Sequence, residues 1–412
     1  MSDSPFSGDS NDPFAGMPLF GDLARMLQQQ GPLAWDAARQ LAMATASGGQ
    51  AEVNVDPLER IKFEQLARVA DLHVTATTGL DTSVGGRSVQ VNPVTRTQWA
   101  QETLDDLRPL FENLAAALGT DTDGAPNGPG AHPAGSSVVE SEQDDEGPGD
   151  AWLSGLMQFL SPMMLGMTAG SLVGNLAVRS LGQYDLPIPR PRRESLPVLV
   201  ENLDGFGQEW SLDGDDLRLW VCLHELTHHA VFGLPHVRER LDDLLGRWAA
   251  GFETDPHSLE RRLGEVDPTS GDPMASFQQM LSDPELLLGA VRSPAQSELQ
   301  PQLEALVLVV TGYVDNVMDR IGIGLVGSYG MVTEAMRRRR VEASASDRFV
   351  ERLFGLELTQ DRYDRGAAFI DGVVERAGTD ALDRLWHSAT ELPTPAELDA
   401  PGLWLARIDL PE

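Results

Sequence analysis

Cysteine is almost missing from this chain of 412 residues: Cys222 stands alone. No disulfide within the chain can form, which fits a reducing cytoplasm, and a cytoplasmic location is the expectation. Lysine is just as scarce. Lys62 is the only one, so arginine carries nearly all the positive charge. Positive charge as a whole is short, with 31 basic residues against 63 acidic ones and a formal net charge of -32. Such a surface repels nucleic acid and anionic membranes, so neither is expected as a partner. Met1 to Gly16 holds no basic residue and is rich in Ser, Asp, Gly and Pro, unlike a secretory signal. One uncharged stretch, Ala151 to Val178, is long enough to cross a bilayer. It contains Gln158, Pro162 and Asn175, and no Lys/Arg belt flanks its start, so it reads as a buried core helix. Gly166, Gly170 and Gly174 recur every fourth residue and would let that helix lie close to a neighbour.

What is present is mainly helical pattern. Met17 to Met43 reads as one or two amphipathic helices broken near Gly31-Pro32. Pro57 to Val74 carries Leu58, Ile61, Phe63, Leu66, Val69 and Leu72 near helical spacing, with Asp56 as N-cap. Thr97 to Leu118 is a further helix. Gly119 to Asp150 has no Lys or Arg and too few apolar residues to offset ordering entropy, so it reads as a disordered acidic loop. Leu196 to Glu201 is the best strand candidate, and Pro197 makes it an edge strand on which an extended peptide could pair. Further helices are expected at 236–252, 274–281, 301–320, 331–341, 344–354, 361–376 and 379–386. The expected organisation is a disordered N-terminus over 1–16, a helical region over 17–118 packing on the core, the acidic loop over 119–150, and a main domain over 151–412. The class is mainly α, of the α+β kind, with a small sheet.

One motif carries chemistry. His224-Glu225-Leu226-Thr227-His228 reads H-E-x-x-H within a helical stretch that Asp213, Asp215 or Asp216 can cap. Positions i and i+4 share a helix face, so the two imidazoles can meet one metal ion. Glu225 stands where a carboxylate base would activate water. Leu217, Leu219, Trp220, Val221, Leu223, Leu226 and Val231 make this helix largely buried, and buried histidines need partners. Cys222 lies about 200° round the helix from His224 and reads as a core residue. His229 points about 100° away from His228 and reads as a packing histidine.

A catalytic zinc wants a third protein ligand and an open position. Asp315, Glu304 and His236 are candidates. Glu304, Thr311 and Asp315 share one stripe of their helix, and Asp315 is the choice. Tyr313, Tyr329 and Tyr184 are candidate donors to an oxyanion. The run Arg337 to Arg340 reads as a solvated helix face, with a phosphate or substrate-carboxylate site as the alternative.

Several segments together give the chain a family likeness. They are Phe20-Gly21-Asp22-Leu23, Gly182-Gln183-Tyr184-Asp185-Leu186-Pro187, Leu219-Trp220-Val221 leading into the motif, Gly312-Tyr313-Val314-Asp315, Gly355-Leu356-Glu357-Leu358, and Leu392-Pro393-Thr394 through Trp404-Leu405-Ala406-Arg407. On these the chain resembles the actinobacterial zincin-like metallopeptidase family, which has a branch linked to coenzyme F420 biosynthesis. The resemblance implies a mostly helical zincin-like fold with a small sheet, a zinc cofactor, and hydrolase activity on a peptide or protein. Where the family pattern commonly has Glu, four residues before Asp315, this chain has Thr311. The two functional expectations are therefore a zinc metallopeptidase using Glu225 as base, and a non-catalytic zincin-like scaffold with a weakened metal site.

Overall fold

A computed structural model describes residues 33–120, 148–254, 290–342 and 345–410. The expected N-terminal segment, the first part of the 17–43 helix, most of the acidic loop and the 274–281 helix lie outside these residues. In chain order the elements are α1 (Trp35–Ser47), α2 (Pro57–Thr78), β1 (Gln90–Val94), α3 (Arg96–Asp106), α4 (Arg108–Thr120), α5 (Pro148–Arg179), β2 (Ser195–Leu199), α6 (Val200–Glu209), α7 (Gly214–Val231) and α8 (Pro235–Ala250). They continue with β3 (Phe252–Thr254), β4 (Ala290–Arg292), α9 (Pro294–Leu325), α10 (Tyr329–Val341), α11 (Ala345–Leu353), α12 (Gln360–Ala377), a 3-10 segment Thr379–Trp386, α13 (Pro395–Leu398) and α14 (Pro401–Ile408). The fold is mostly helical with a small parallel sheet, as the sequence pattern requires.

Local chemistry sets the helix ends. Asp56 caps α2 by accepting from Leu58 N–H, with Pro57 in the first turn. Asp213 caps α7 by accepting from the N–H groups of Asp215 and Asp216, both at 3.0 Å. Asp216 in turn accepts from Gly327 and Ser328, which fixes the start of α10 against α7. Ser293 and Gln296 form a capping box that starts α9 earlier than periodicity suggests. The expected single helix over 97–118 is two, broken at Leu107. Pro109 has no N–H to continue the ladder.

Packing explains two further features. The glycine ladder of α5 does bring a neighbour close. A Cβ on Gly166, Gly170 or Gly174 would run into the α1 backbone or side chains at Ala34, Ala38 and Thr45. Among the described residues no helix is long and apolar enough to cross a membrane. On α2 the face inward is Phe63, Ala67, Ala70 and Val74, which packs on α7. Leu58 and Leu72 are each 69% exposed, with Ile61 and Val69 also outside. Leu58, Ile61, Val69 and Leu72 therefore lie away from the core, while Ala67 and Ala70 beside Phe63 allow the close approach.

The strand expected at 196–201 ends at Leu199, and Val200 begins α6. β2 pairs in parallel with β1, with Val91 opposite Leu196 and Pro93 opposite Val198. Residues 196–199 are buried and Leu199 N–H donates to the Leu181 carbonyl, so β2 offers no open edge to a peptide. β1 has no sequence signature, since Asn92 and Pro93 are poor strand formers. β3 and β4 form a short antiparallel pair. The motif helix α7 is buried from Leu217 to Val231 and packs against α2, α6, α9 and α10.

Candidate metal centre

His224 and His228 lie one turn apart on α7, with ring centroids 4.4 Å apart. Each imidazole is backed by an aromatic ring. Trp220 stacks on His224 at 5.1 Å, and Tyr184 stacks on His228 at 5.7 Å, both at an interplanar angle of 15°. His228 Nδ1 is 3.1 Å from the His224 carbonyl oxygen. A carbonyl only accepts, so this nitrogen carries the proton and Nε2 is left with a lone pair. That Nε2 is buried and has no hydrogen-bond partner. Burial, with Arg340 next in weight, pushes the His224 pKa down to about 4. Burial and then His224 push His228 well below its ordinary value. Both rings are neutral at pH 7, as metal ligands must be.

Glu225 is enclosed completely. Its Oε2 accepts from Gln183 N–H at 2.8 Å and Tyr184 N–H at 3.1 Å, and its Oε1 lies 3.4 Å from His224 Nδ1. The carboxylate rests against Gly182, where any Cβ would collide with it. Asp185 closes the same turn by accepting from Leu181 N–H at 2.7 Å, and Arg339 holds Asp185 at 2.6 Å. Trp99 donates its indole N–H to the Gly182 carbonyl at 3.2 Å. Burial, reinforced by Asp185, raises the Glu225 pKa well above the usual carboxylate range, against the two amide donors.

The α9 side differs. Asp315 is gripped by Arg340 of α10 in a two-point pair, at 2.7 and 2.9 Å. The guanidinium also lies over the Tyr363 ring at 5.1 Å. Burial would raise the Asp315 pKa, but Arg340 outweighs it and the carboxyl sits below its ordinary value. Thr311, one turn earlier, turns its hydroxyl back to the Val307 and Leu308 carbonyls and offers nothing outward. Trp220, Asp315 and Arg340 border one void of about 20 Å³. A larger cavity of about 310 Å³ also borders the pair, lined by Asp319, Arg337, Tyr363 and Asp364 among others.

Most of the other candidates have partners of their own, and Tyr329 also borders the small void beside Trp220 and Asp315. Glu304 is bound by Arg362 and Arg365. His236 sits in the first turn of α8 with Nε2 unpartnered, and burial lowers its pKa. Tyr313 packs edge-on against Trp386 at 4.8 Å, and Tyr329 donates to Asp319 at 2.6 Å. Tyr184 is the tyrosine at the histidines, and its hydroxyl meets His229 Nδ1 at 3.3 Å. Cys222 is buried, and burial pushes its thiol pKa up. The arginine run is not simply a solvated face. Arg337 and Arg338 are exposed, while Arg339 and Arg340 turn inward to Asp185 and Asp315. Sequence reasoning did not find the roles of Gly182, Asp185, Trp220 and Arg340. Of the Gly182–Asp185 stretch, sequence alone singles out Tyr184, and the rest only through the family likeness.

The zincin-like metallopeptidase family matches residues 33–405 of the chain. The chain belongs to this family. No curated protein matches it. A solved structure from Chloroflexus aurantiacus, described as "a putative hydrolase with a novel fold", is similar at 22% identity and a TM-score of 0.59. The match covers 92% of this chain and 100% of that one, and it shows the fold. Family membership implies a zinc cofactor in general terms.

The imidazole pair fits a metal ion on its own evidence, because His228 Nε2 is a buried lone pair with nothing to receive it. The third place is not furnished as the side chains stand. Among the described residues, no group of three or more His, Cys, Asp or Glu side chains is close enough to hold a metal.

Proposed function

We propose that this family member is a zinc-dependent hydrolase of the metallopeptidase type, acting on a peptide or protein in the cytoplasm. His224 and His228 would hold the zinc, with Asp315 as the carboxylate that completes the set. When bound, the ion would polarise the scissile carbonyl and lower the pKa of water. Glu225 is the proton carrier. The Gln183 amide holds its Oε2, the Tyr184 amide reaches both oxygens, and Oε1 lies beside His224. Its raised pKa suits a group that takes a proton and returns it to a leaving amine. Trp220 and Tyr184 hold the two rings in place and exclude water from their faces. The narrower kinship, to actinobacterial members with a branch tied to coenzyme F420 biosynthesis, rests on the sequence resemblance.

The observation that carries this reading is the unpartnered Nε2 of His228 beside His224. Elemental analysis of the purified protein should find about one zinc per chain, lost in His224→Ala and in His228→Ala. Glu225→Gln should keep the zinc and lose peptide hydrolysis by roughly 10²–10⁴-fold. Full hydrolysis by Glu225→Gln would remove that residue as the base. A second reading, a non-catalytic scaffold, is favoured by the inward-turned Thr311 hydroxyl and the closed Asp315–Arg340 pair. Protein that takes up no zinc from a buffered excess would select it.

A further inference from the structure

α2 is apolar on two sides. Phe63, Ala67, Ala70 and Val74 face α7, and ion pairs from Arg218 to Glu59 and from Lys62 to Asp215 tie the two helices together. Leu58, Ile61, Val69 and Leu72 stand on the opposite side in the open. With Gln65 they form one stripe, at successive steps of three, four, four and three residues. That order reads the same from either end. Gln65 is its centre, with Ile61 and Val69 four positions away and Leu58 and Leu72 seven away. A stripe symmetric about its middle is complementary to a second copy of itself running the other way, and two-fold contacts are the commonest in soluble homo-oligomers.

Charge agrees with a second copy as the occupant. α2 carries Arg60, Lys62 and Arg68 against Glu59, Glu64 and Asp71, a balance of zero in a chain of net charge -32. Two such chains repel, and α2 is a face on which they meet without adding to the repulsion. Glu64 and Arg68 flank the stripe and pair within the helix. In an antiparallel arrangement about Gln65, Glu64 of each copy falls within two positions of Arg68 of the other, so opposite charges meet on both sides of the centre.

We propose that the outer face of α2 is a two-fold interface on which a second copy of this chain docks antiparallel. Leu58 packs on Leu72 of the second copy, Ile61 on Val69, and Gln65 lies on the axis. The interface does not depend on the zinc reading above. The stripe spans about 21 Å at 1.5 Å per residue. One helix pair of that length covers less than a standard interface, so the dimer is reversible and forms in the micromolar range. Gln65 fixes the register, because its amide donates to and accepts from its own copy when the two centres coincide.

Sedimentation velocity of the full chain should show a monomer–dimer equilibrium between about 1 and 200 µM. Ile61→Glu/Leu72→Glu changes two exposed positions, so the melting temperature of the monomer should hold while the dimer weakens about tenfold or more. Cross-linking reads the register. Cys222 is buried, so a cysteine introduced on α2 is the reactive one. Gln65→Cys should join two copies by a disulfide under mild oxidation, because it meets itself on the axis. Thr75→Cys, exposed and ten positions from the axis, should not. A parent that stays monomeric through that range overturns the proposal and leaves the stripe to a different occupant. A dimer untouched by the double variant overturns it by placing the contact elsewhere. Equal cross-linking at 65 and 75 overturns the antiparallel register. If the double variant does not fold, the contrast between those two cysteines decides.

Discussion

The two sides of the candidate centre are built on different terms. On the α7 side, backbone does the placing: two amide donors fix Glu225, a carbonyl fixes the His228 tautomer, and Gly182 shapes the space. On the α9 side, side chains hold one another, Asp315 with Arg340 and Glu304 with Arg362 and Arg365. Groups held by the main chain can move only if the fold moves. Groups held by side chains can change partner through a rotamer. The comparison separates a rigid ligand pair from an adjustable carboxylate, and it suggests where activity and its control would each reside.

Acid is the strongest way to break the rigid side. In metal-free protein, His224 titrates near 4 when folded against about 6.5 when unfolded. The unfolded chain thus binds the proton more readily, so stability is full above about 6.5 and is lost as pH falls through about 4. Carried into free energy, this is about 3 kcal/mol from His224, and His228 adds to it with the same sign. Urea denaturation between pH 8 and pH 4 measures it, and His224→Gln should flatten the curve. Glu351 acts in the opposite window. Burial raises its pKa to about 7, so its contribution is present below about 4.5 and lost as pH rises through 7. Next in size is Gly182→Val. Its side chain would occupy the space of the Glu225 carboxylate, and a loss of about 2 kcal/mol in unfolding free energy is expected. A stability equal to the parent would show that the turn is softer than the hydrogen bonds suggest.

The smallest effect sharpens the adjustable side. Thr311→Glu places a carboxylate one turn from Asp315 on the same face, independent of Arg340. Zinc should bind about tenfold tighter, roughly 1.4 kcal/mol, by calorimetry. No change in affinity would place that helix face away from the ion.

What the sequence makes legible follows how far each signal reaches. The α7 motif, the caps Asp56 and Asp213 and the α5 glycine ladder are local, and each is readable from a few neighbouring residues. The exposed stripe of α2 was not readable, because Ala67 and Ala70 are chosen by the helix they meet and not by their own hydrophobicity. β1 was hidden by Asn92 and Pro93 and exists through its pairing with β2. The inward turn of the arginine run was hidden by distance. Arg339 finds Asp185 154 positions away, and Arg340 finds Asp315 across 25. A row of four arginines looks solvated until its partners are known.

Trp99 belongs to the segment before residue 120, and the carbonyl it holds belongs to the turn that cradles Glu225. The early helices are thus part of the lining and not an appendage to it. Recombination that exchanged everything ahead of residue 120 would also exchange one wall of the centre. The two stretches can drift in evolution only in step, a change near Trp99 answered by one near Gly182.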